Sequence, residues 1–312
     1  MFHVAIIGTG RVGSAIAYTL LWERHIDEIS LADTAPKVAE ITKEELSHAI
    51  SSHGYDVKIN AYDHSKYIQD ADLIIISAGF PRTPDMSRRD LADKNATIIR
   101  DIIESTIDNN PNAWYFVITN PVDAMTTLAN SIADRKHPVI GTGTNLETSR
   151  FRIILSRELK VPIHLVEAYV GGEHGRAAVF LWSLVKVDGM PLEDYLNKSG
   201  ISFNKTECEN YVLEISKEII RVKGGTQYGP AGSFIEIIRG ILLNTGKIVS
   251  YSRPMNFDDI PEPVYVTVPA RISRSRSIDL WNVLSKYEKE KIHEAARVIY
   301  ETYKKSKIAA GI

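Results

Sequence analysis

The chain has a single cysteine, Cys208, in 312 residues. One thiol excludes an internal disulfide framework and a multi-cysteine metal site, and a reducing cytoplasm is the expected setting. No uninterrupted apolar run reaches the roughly 18 residues of a membrane span. The apolar stretch Val4–Ile7 runs straight into glycine with no basic segment before it, so neither a signal peptide nor a membrane partner is expected. Charge of one sign is also missing. Against 37 Lys and Arg stand 39 Asp and Glu, with no basic block, which argues against nucleic acid as the main partner. Internal repeats, low-complexity tracts and Ser/Gly linkers are absent too. Hydrophobic residues at 44% and charged residues at 24% match a soluble globular chain, and the length fits about two domains.

What is present alternates. Phe2–Ile7, Ile29–Ala32, Asp56–Ile59, Leu73–Ser77, Trp114–Thr119 and Val139–Ile140 read as strands, several apolar at consecutive positions as strands buried on both faces must be. Helical spacing fills intervals at Val12–Glu23, Val38–Ser51 and Leu91–Asn109. Strand–helix–strand repetition implies right-handed crossovers, so residues 1–142 are expected to form an α/β domain, a doubly wound parallel sheet of the Rossmann kind. The pattern then changes. Helices fit Glu147–Leu159, Lys205–Val222, Ala231–Asn244 and Lys286–Lys305, with strand-like Leu165–Val170, Ala178–Val187, Ile248–Tyr251 and Val264–Val268 between them. Residues 143–312 therefore read as a C-terminal α+β substrate domain. With no linker between them, the two domains are expected to pack around a shared cleft.

Gly8-Thr9-Gly10-Arg11-Val12-Gly13 follows the first strand and opens the first helix. A lone G-x-G-x-x-G is weak evidence, but here the context is complete, with Asp33 twenty residues after Gly13 at the end of the second strand. Gly8 permits the tight turn, Gly10 lets a pyrophosphate approach the backbone, and Gly13 allows close helix–strand packing. The helix N-terminus supplies free N–H groups to the phosphates. Asp33 can accept from both ribose hydroxyls and repels a 2′-phosphate, which favours NAD; Lys37 nearby keeps NADP open. For Arg11, a place beside the pyrophosphate and a solvated position on the helix remain alternatives.

Chemistry must come from residues gathered at the sheet edge, since fold alone does not give function. The segment 78–91, Ala-Gly-Phe-Pro-Arg-Thr-Pro-Asp-Met-Ser-Arg-Arg-Asp-Leu, reads as a cationic loop. After it come Thr119-Asn120-Pro121-Val122-Asp123, Leu146-Glu147-Thr148-Ser149-Arg150-Phe151-Arg152 and Gly171-Gly172-Glu173-His174-Gly175. With the glycine motif these make five motifs in an order that resembles the L-malate/L-lactate dehydrogenase family over essentially the whole chain, nearest its lactate-dehydrogenase-like malate dehydrogenases. Such enzymes interconvert a 2-hydroxy acid and a 2-oxo acid by hydride transfer with NAD.

The resemblance implies roles residue by residue. His174 corresponds to the acid/base, a sensible choice because imidazole titrates near pH 6.5. Arg150 corresponds to the substrate-carboxylate arginine, whose planar fork makes two parallel hydrogen bonds. Arg88 corresponds to the arginine of the closing loop that polarises the carbonyl, although Arg89 is adjacent. Asn120 and Thr226 complete the substrate set. Val12, Ala78, Gly79, Asn95, Thr119 and Asn120 join the three glycines, Arg11 and Asp33 in the cofactor set, and no metal is implied. One position departs from the pattern: where the family usually has the aspartate that orients the histidine and stabilises its protonated form, Glu147 stands, three residues before Arg150, and it is expected to take that role with one more methylene. Arg152, two residues beyond Arg150, points to another face and suits a salt bridge. Histidines 48, 53 and 64 have no comparable context, and Arg176 adds a charge without an account.

Arg82 occupies the loop position that separates substrates in the family, arginine with malate and glutamine with lactate. Oxaloacetate carries a second carboxylate for Arg82, whereas pyruvate would enclose the charge unpaired at a cost of several kcal/mol. Malate with NAD, giving oxaloacetate and NADH as in the tricarboxylic acid cycle, is thus the expected reaction. A lactate or broader 2-hydroxy-acid dehydrogenase, a silent NAD-binding protein, and more remotely an NAD-dependent glycosidase stay as alternatives. The resemblance also implies a homo-oligomer, a tetramer before a dimer.

Overall fold

Leu73, Ile74, Ile75 and Ile76 are all fully buried, as a strand covered on both faces requires. The computed structural model describes residues 1–80, 88–134, 137–273 and 278–312, the side chains of residues 88–90 excepted. Its first half runs β1 (Phe2–Ile7), α1 (Arg11–Leu20), β2 (Ile26–Ala32), α2 (Val38–Ile50), β3 (Lys58–Tyr62), β4 (Leu73–Ile76), α3 (Arg88–Thr106), β5 (Trp114–Val117), α4 (Val122–Ile132) and β6 (Val139–Gly141). The second half runs α5 (Asn145–Leu159), β7 (Val166–Glu167), β8 (Val170–Gly172), β9 (Ala178–Phe180), β10 (Lys186–Val187), β11 (Met190–Pro191), α6 (Leu192–Ser199), α7 (Lys205–Lys223), α8 (Tyr228–Leu243), β12 (Ile248–Val249), β13 (Ser252–Met255), β14 (Val264–Thr267), β15 (Ala270–Arg271) and α9 (Lys286–Ala309).

Strands β1 to β6 are parallel in the order β3-β2-β1-β4-β5-β6, so the winding reverses between β1 and β4. Alternation along each strand feeds two cores. Ile7, Ile74, Ile76, Tyr115 and Val117 face α3, α4 and α9, packing with Ile99, Leu128 and Ile292. Val4, Ile6, Leu73, Ile75 and Phe116 face α1, α2 and α8, packing with Ile16, Leu46 and Phe234. At roughly 1.5–3 kcal/mol for each large apolar side chain buried, these two layers hold the sheet rigid and so fix the loops at its edge.

The second half does not build a separate large sheet. Antiparallel β13, β14, β8 and β9 extend the first one past β6 to ten strands. A third core, including Phe151, Leu155, Val187 and Val212, joins α5 and α7 to the small sheet β11-β10-β7 and buries Cys208. Arg239 of α8 pairs with Glu23 in the connection from α1 to β2, one more tie between the halves.

Several elements differ from expectation. The third strand continues to Tyr62, beyond its apolar centre Val57–Ile59, because pairing with β2 persists to Ala32. Leu165–Val170 and Ala178–Val187 are each broken in two, since their halves pair in different sheets, the second around the 3-10 turn Trp182–Leu184. Helices α4 and α6 were not expected; α4 starts directly after Pro121, a residue that serves equally well in a turn. Among the described residues, no helix is long and apolar enough to cross a membrane.

Candidate active site

The glycine turn leaves β1 at the point where the winding reverses, the crevice in which open α/β sheets bind ligands. Gly8 has φ +91°, and a Cβ there would lie 2.4 Å from the Ala78 nitrogen. At Gly13 a Cβ would lie 2.0 Å from the Gly8 oxygen, so α1 can approach the sheet only without a side chain. Above Gly10, by contrast, the space is open, and Gly10 caps α1 with no side-chain hydrogen bond. The first-turn N–H groups of α1, including that of Val12, thus face a space that a pyrophosphate fits. Asp33 stands at the rim, its carboxylate accepting from Thr9 N at 2.8 Å, Thr9 Oγ1 at 3.1 Å and Ala35 N at 2.9 Å. Held there by three donors, the carboxylate suits ribose hydroxyls. Lys37, at the start of α2, adopts the left-handed conformation with φ 63°.

A clip of buried polar groups holds the neighbouring edge loops. Ala78 N donates to the Ile7 oxygen at 2.8 Å, and Thr119 Oγ1 donates to the Ala78 oxygen at 2.6 Å. Asn95, 1% exposed on α3, accepts from Phe80 N at 2.8 Å and donates to the Asn120 oxygen at 2.6 Å. Gly79 fits beneath it, where a Cβ would lie 2.8 Å from the Thr119 methyl. The structure therefore gives Asn95 and Thr119 the work of joining the loops after β4 and β5, and leaves Asn120 exposed at the edge.

His174 stands in the turn between β8 and β9. Gly172 makes that turn possible, with φ +80° and a would-be Cβ 2.4 Å from the Ala177 oxygen. The start of α5 is pinned beside it: Thr144 Oγ1 donates to the Val170 oxygen at 2.6 Å, and Val170 N donates to Thr148 Oγ1 at 2.9 Å. Glu147 and Arg150, three residues apart on α5, share a face. Both Glu147 oxygens lie 3.0 Å from His174 Nδ1, and Arg150 approaches the same carboxylate at 3.9 Å. The longer glutamate thus reaches the imidazole with its whole carboxylate, leaving Nε2 for a reacting proton.

Charges here are strongly shifted. Burial opposes a charged His174, but the Glu147 carboxylate and its hydrogen bond outweigh burial and raise the imidazole to about 9. Burial also works against ionised Glu147, yet the His174 charge and hydrogen bond, with Arg150 behind them, hold it below the usual carboxylate range. Desolvation lowers Arg150, partly offset by Glu147. A second carboxyl beside His174, to which the sequence alone assigns no role, is Asp123. It is 1% exposed and accepts from the His174 backbone N–H at 2.7 Å. Burial, only partly offset by the His174 N–H and the His174 charge, pushes it up to about 7.

Other expected residues fall as follows. Arg82 lies outside the described residues; Arg88 begins α3, but its side chain, like that of Arg89, is outside them too. Arg11 donates to the Lys223 oxygen at 3.3 Å, toward the α7–α8 connection that carries half-buried Thr226. Arg152 donates to the Ala168 oxygen at 3.1 Å and meets Glu236 at 3.5 Å. Exposed His48 pairs with Glu44, His64 caps a 3-10 turn by accepting from Lys66 N, and His53 packs against Trp22.

This arrangement has counterparts. The lactate/malate dehydrogenase NAD binding domain matches residues 2–141, and the alpha/beta C-terminal domain of the same family matches residues 144–308. The chain is 37% identical to the malate dehydrogenase of Sulfolobus acidocaldarius over 97% of its own length and 96% of that protein. It is 33% identical to the L-lactate dehydrogenase of a Geobacillus species, covering 96% and 95%. The structure of malate dehydrogenase from Archaeoglobus fulgidus in complex with NADH superposes with a TM-score of 0.86 at 29% identity, covering 99% of this chain and 100% of that one. With both halves matched in order, and a half-buried histidine paired with a buried carboxylate in the second, the chain belongs to the lactate/malate dehydrogenase family.

Proposed function

We propose that the protein is an NAD-dependent malate dehydrogenase, interconverting L-malate and oxaloacetate. The observation that carries the reading is His174 held by both oxygens of Glu147 at 3.0 Å, with Arg150 on the same helix face. Bound along the glycine turn and Asp33, NAD supplies the hydride acceptor. In malate oxidation, neutral His174 donates its Nδ1–H to the Glu147 carboxylate in a hydrogen bond and takes the substrate hydroxyl proton at Nε2. The imidazolium that results is stabilised by Glu147. In oxaloacetate reduction His174 returns that proton to the carbonyl oxygen, and its raised affinity for the proton, about 9, keeps it charged and ready at neutral pH. Arg150 holds the carboxylate beside the reacting carbon, Arg88 attends the carbonyl oxygen, and Asn120 and Thr226 line the substrate. The edge groups Gly8, Gly10, Val12, Gly13, Ala78, Gly79 and Thr119 shape the cofactor side, with Asn95 acting through the loops it joins.

Arg82 sets the substrate: it pairs with the second carboxylate, and pyruvate leaves it without a partner. The same reading takes residues 1–142 and 143–312 as the NAD and substrate domains, and the protein as a cytoplasmic homotetramer serving the tricarboxylic acid cycle. Exposed Trp22, Tyr228 and Val222 are compatible with assembly, which light scattering after gel filtration measures. NADH oxidation followed with oxaloacetate and with pyruvate, before and after Arg82→Gln, tests the central claim. A strong preference for oxaloacetate, reduced or reversed by the substitution, is expected. Preference for pyruvate in the unmodified protein would move the assignment to a lactate dehydrogenase, and turnover of neither would point to a silent NAD-binding protein.

A further inference from the structure

Asp123 belongs to a motif whose neighbours, Thr119 and Asn120, have roles in the site, while its own role has been open. As the second residue of α4 it follows the Asn120 loop directly. Its side chain crosses to the other half of the chain, where Oδ2 accepts the His174 backbone N–H at 2.7 Å across 51 positions of sequence. Its other oxygen, Oδ1, and the neighbouring Ser252 hydroxyl are both buried without a hydrogen bond of good geometry. A carboxylate in that state is costly where a neutral side chain would pack, because desolvation is only partly repaid by one N–H.

We propose that Asp123 is a positioning residue for proton transfer: by gripping the His174 backbone it fixes the β8–β9 turn that carries the imidazole, and couples that turn to the loop presenting Asn120. His174 is then held at two points, its backbone by Asp123 and its ring by Glu147. The pair of constraints matters because Gly172 and Gly175, with φ +80° and +131°, leave the turn little intrinsic stiffness. The negative charge of Asp123 has a second effect, favouring protonated His174. Groups facing this cluster are Glu173 and His174 from the β8–β9 turn, Glu147 and Arg150 from α5, and the uncharged Ser252 from β13. The inference rests on His174 being the proton carrier, as proposed above.

Kinetics of Asp123→Ala and Asp123→Asn beside His174→Asn separate the two claims, with NADH affinity from fluorescence and thermal unfolding for each variant. Asp123→Ala is expected to lower kcat about tenfold to a hundredfold, the scale of a 1 Å misplacement, while NADH affinity stays within about twofold. Asp123→Asn keeps an oxygen for the His174 N–H and turns its NH2 toward Ser252. It is expected to recover most of kcat while moving the acid limb of kcat/KM for malate oxidation to lower pH, one negative charge having left the imidazole. Unchanged kcat and an unchanged limb in both variants overturn the proposal, as does a loss in Asp123→Asn with the limb unmoved. Should Asp123→Ala fail to fold, the limb in Asp123→Asn decides. Full turnover by His174→Asn would instead overturn the assignment of His174 itself.

Discussion

Glu147→Asp installs the residue that the family pattern leads one to expect, and it should impair this enzyme. Both Glu147 oxygens lie 3.0 Å from His174 Nδ1, and the helix that carries Glu147 is pinned through Thr144 and Thr148 to the strand leading to His174. Removing one methylene withdraws the carboxylate by about 1.5 Å, because neither end is free to follow. At an effective dielectric constant of about 20, two unit charges attract by about 5.5 kcal/mol at 3.0 Å and about 3.7 kcal/mol at 4.5 Å. The difference, about 1.8 kcal/mol, corresponds to a little over one pKa unit on the imidazole. The basic limb of kcat/KM for oxaloacetate reduction reports the free enzyme and is set by His174, which stands at about 9. It is expected to move down by about one unit, and the plateau to fall about tenfold to a hundredfold as the ring loses its orientation. Stopped-flow NADH oxidation across pH 6 to 10 measures both, at roughly half-unit steps to resolve a shift of this size. A plateau and limb equal to those of the unmodified enzyme would refute the reasoning, for they would mean that α5 moves to restore the contact.

Arg150→Lys should lower kcat/KM for oxaloacetate about tenfold to a hundredfold, since a charged hydrogen bond worth about 1.5–3 kcal/mol is lost with the planar fork; an unaffected kcat/KM removes Arg150 from the substrate. Gly13→Ala places a Cβ 2.0 Å from the Gly8 oxygen, so the turn must open. A weakening of NADH binding, measured by fluorescence titration, is the expected result, and undiminished affinity would contradict the close packing of α1. Stability should fall as pH rises from 6.5 to 9, because His174 is raised from 6.5 to about 9 and the native state holds the extra proton in that window. The contribution is complete below 6.5 and gone above about 9. Asp123, raised from 3.8 to about 7, acts with the same sign at lower pH. Melting temperatures of the unmodified protein and of His174→Asn, compared from pH 6 to 10, test the first of these: the variant's profile should be flatter.

Much of this molecule is legible in the chain because its burial is local in pattern. Leu73–Ile76 is apolar at every position and sits within the sheet; Gly8, Gly10 and Gly13, between an apolar strand and a helix and with Asp33 twenty residues on, mark a strand–turn–helix of the dinucleotide-binding kind. Elements whose bounds differ from the sequence pattern depend instead on distant partners. Leu165–Val170 reads as one strand, but Val166–Glu167 pairs with β10 while Val170–Gly172 pairs with β9 and β14, a division that pairing alone decides. That the strands of the second half continue the first sheet is decided by pairing too, since β13 joins the edge of the parallel sheet at Gly141.

The site divides along the same line. His174, Glu147 and Arg150 lie in motifs with recognisable chemistry, and even the extra methylene of Glu147 is visible as a letter, although its consequence is not. Two side-chain paths of different length can reach one imidazole, and only the placement of α5 against β8 determines which carboxylate touches Nδ1 with both oxygens. Asp123 is harder still. After Asn-Pro-Val an aspartate reads as an ordinary first-turn residue stabilising a helix N-terminus, and nothing in its neighbourhood distinguishes it. Its importance comes from a buried contact with the backbone of a residue 51 positions later. The signal available in sequence was indirect: an acid among Val122, Ala124, Met125 and Thr126, all of them buried, has to be paying for its desolvation somewhere. A motif therefore identifies the groups that do the chemistry, while the groups that hold them in place become visible only when the folded chain shows which buried charge has a partner.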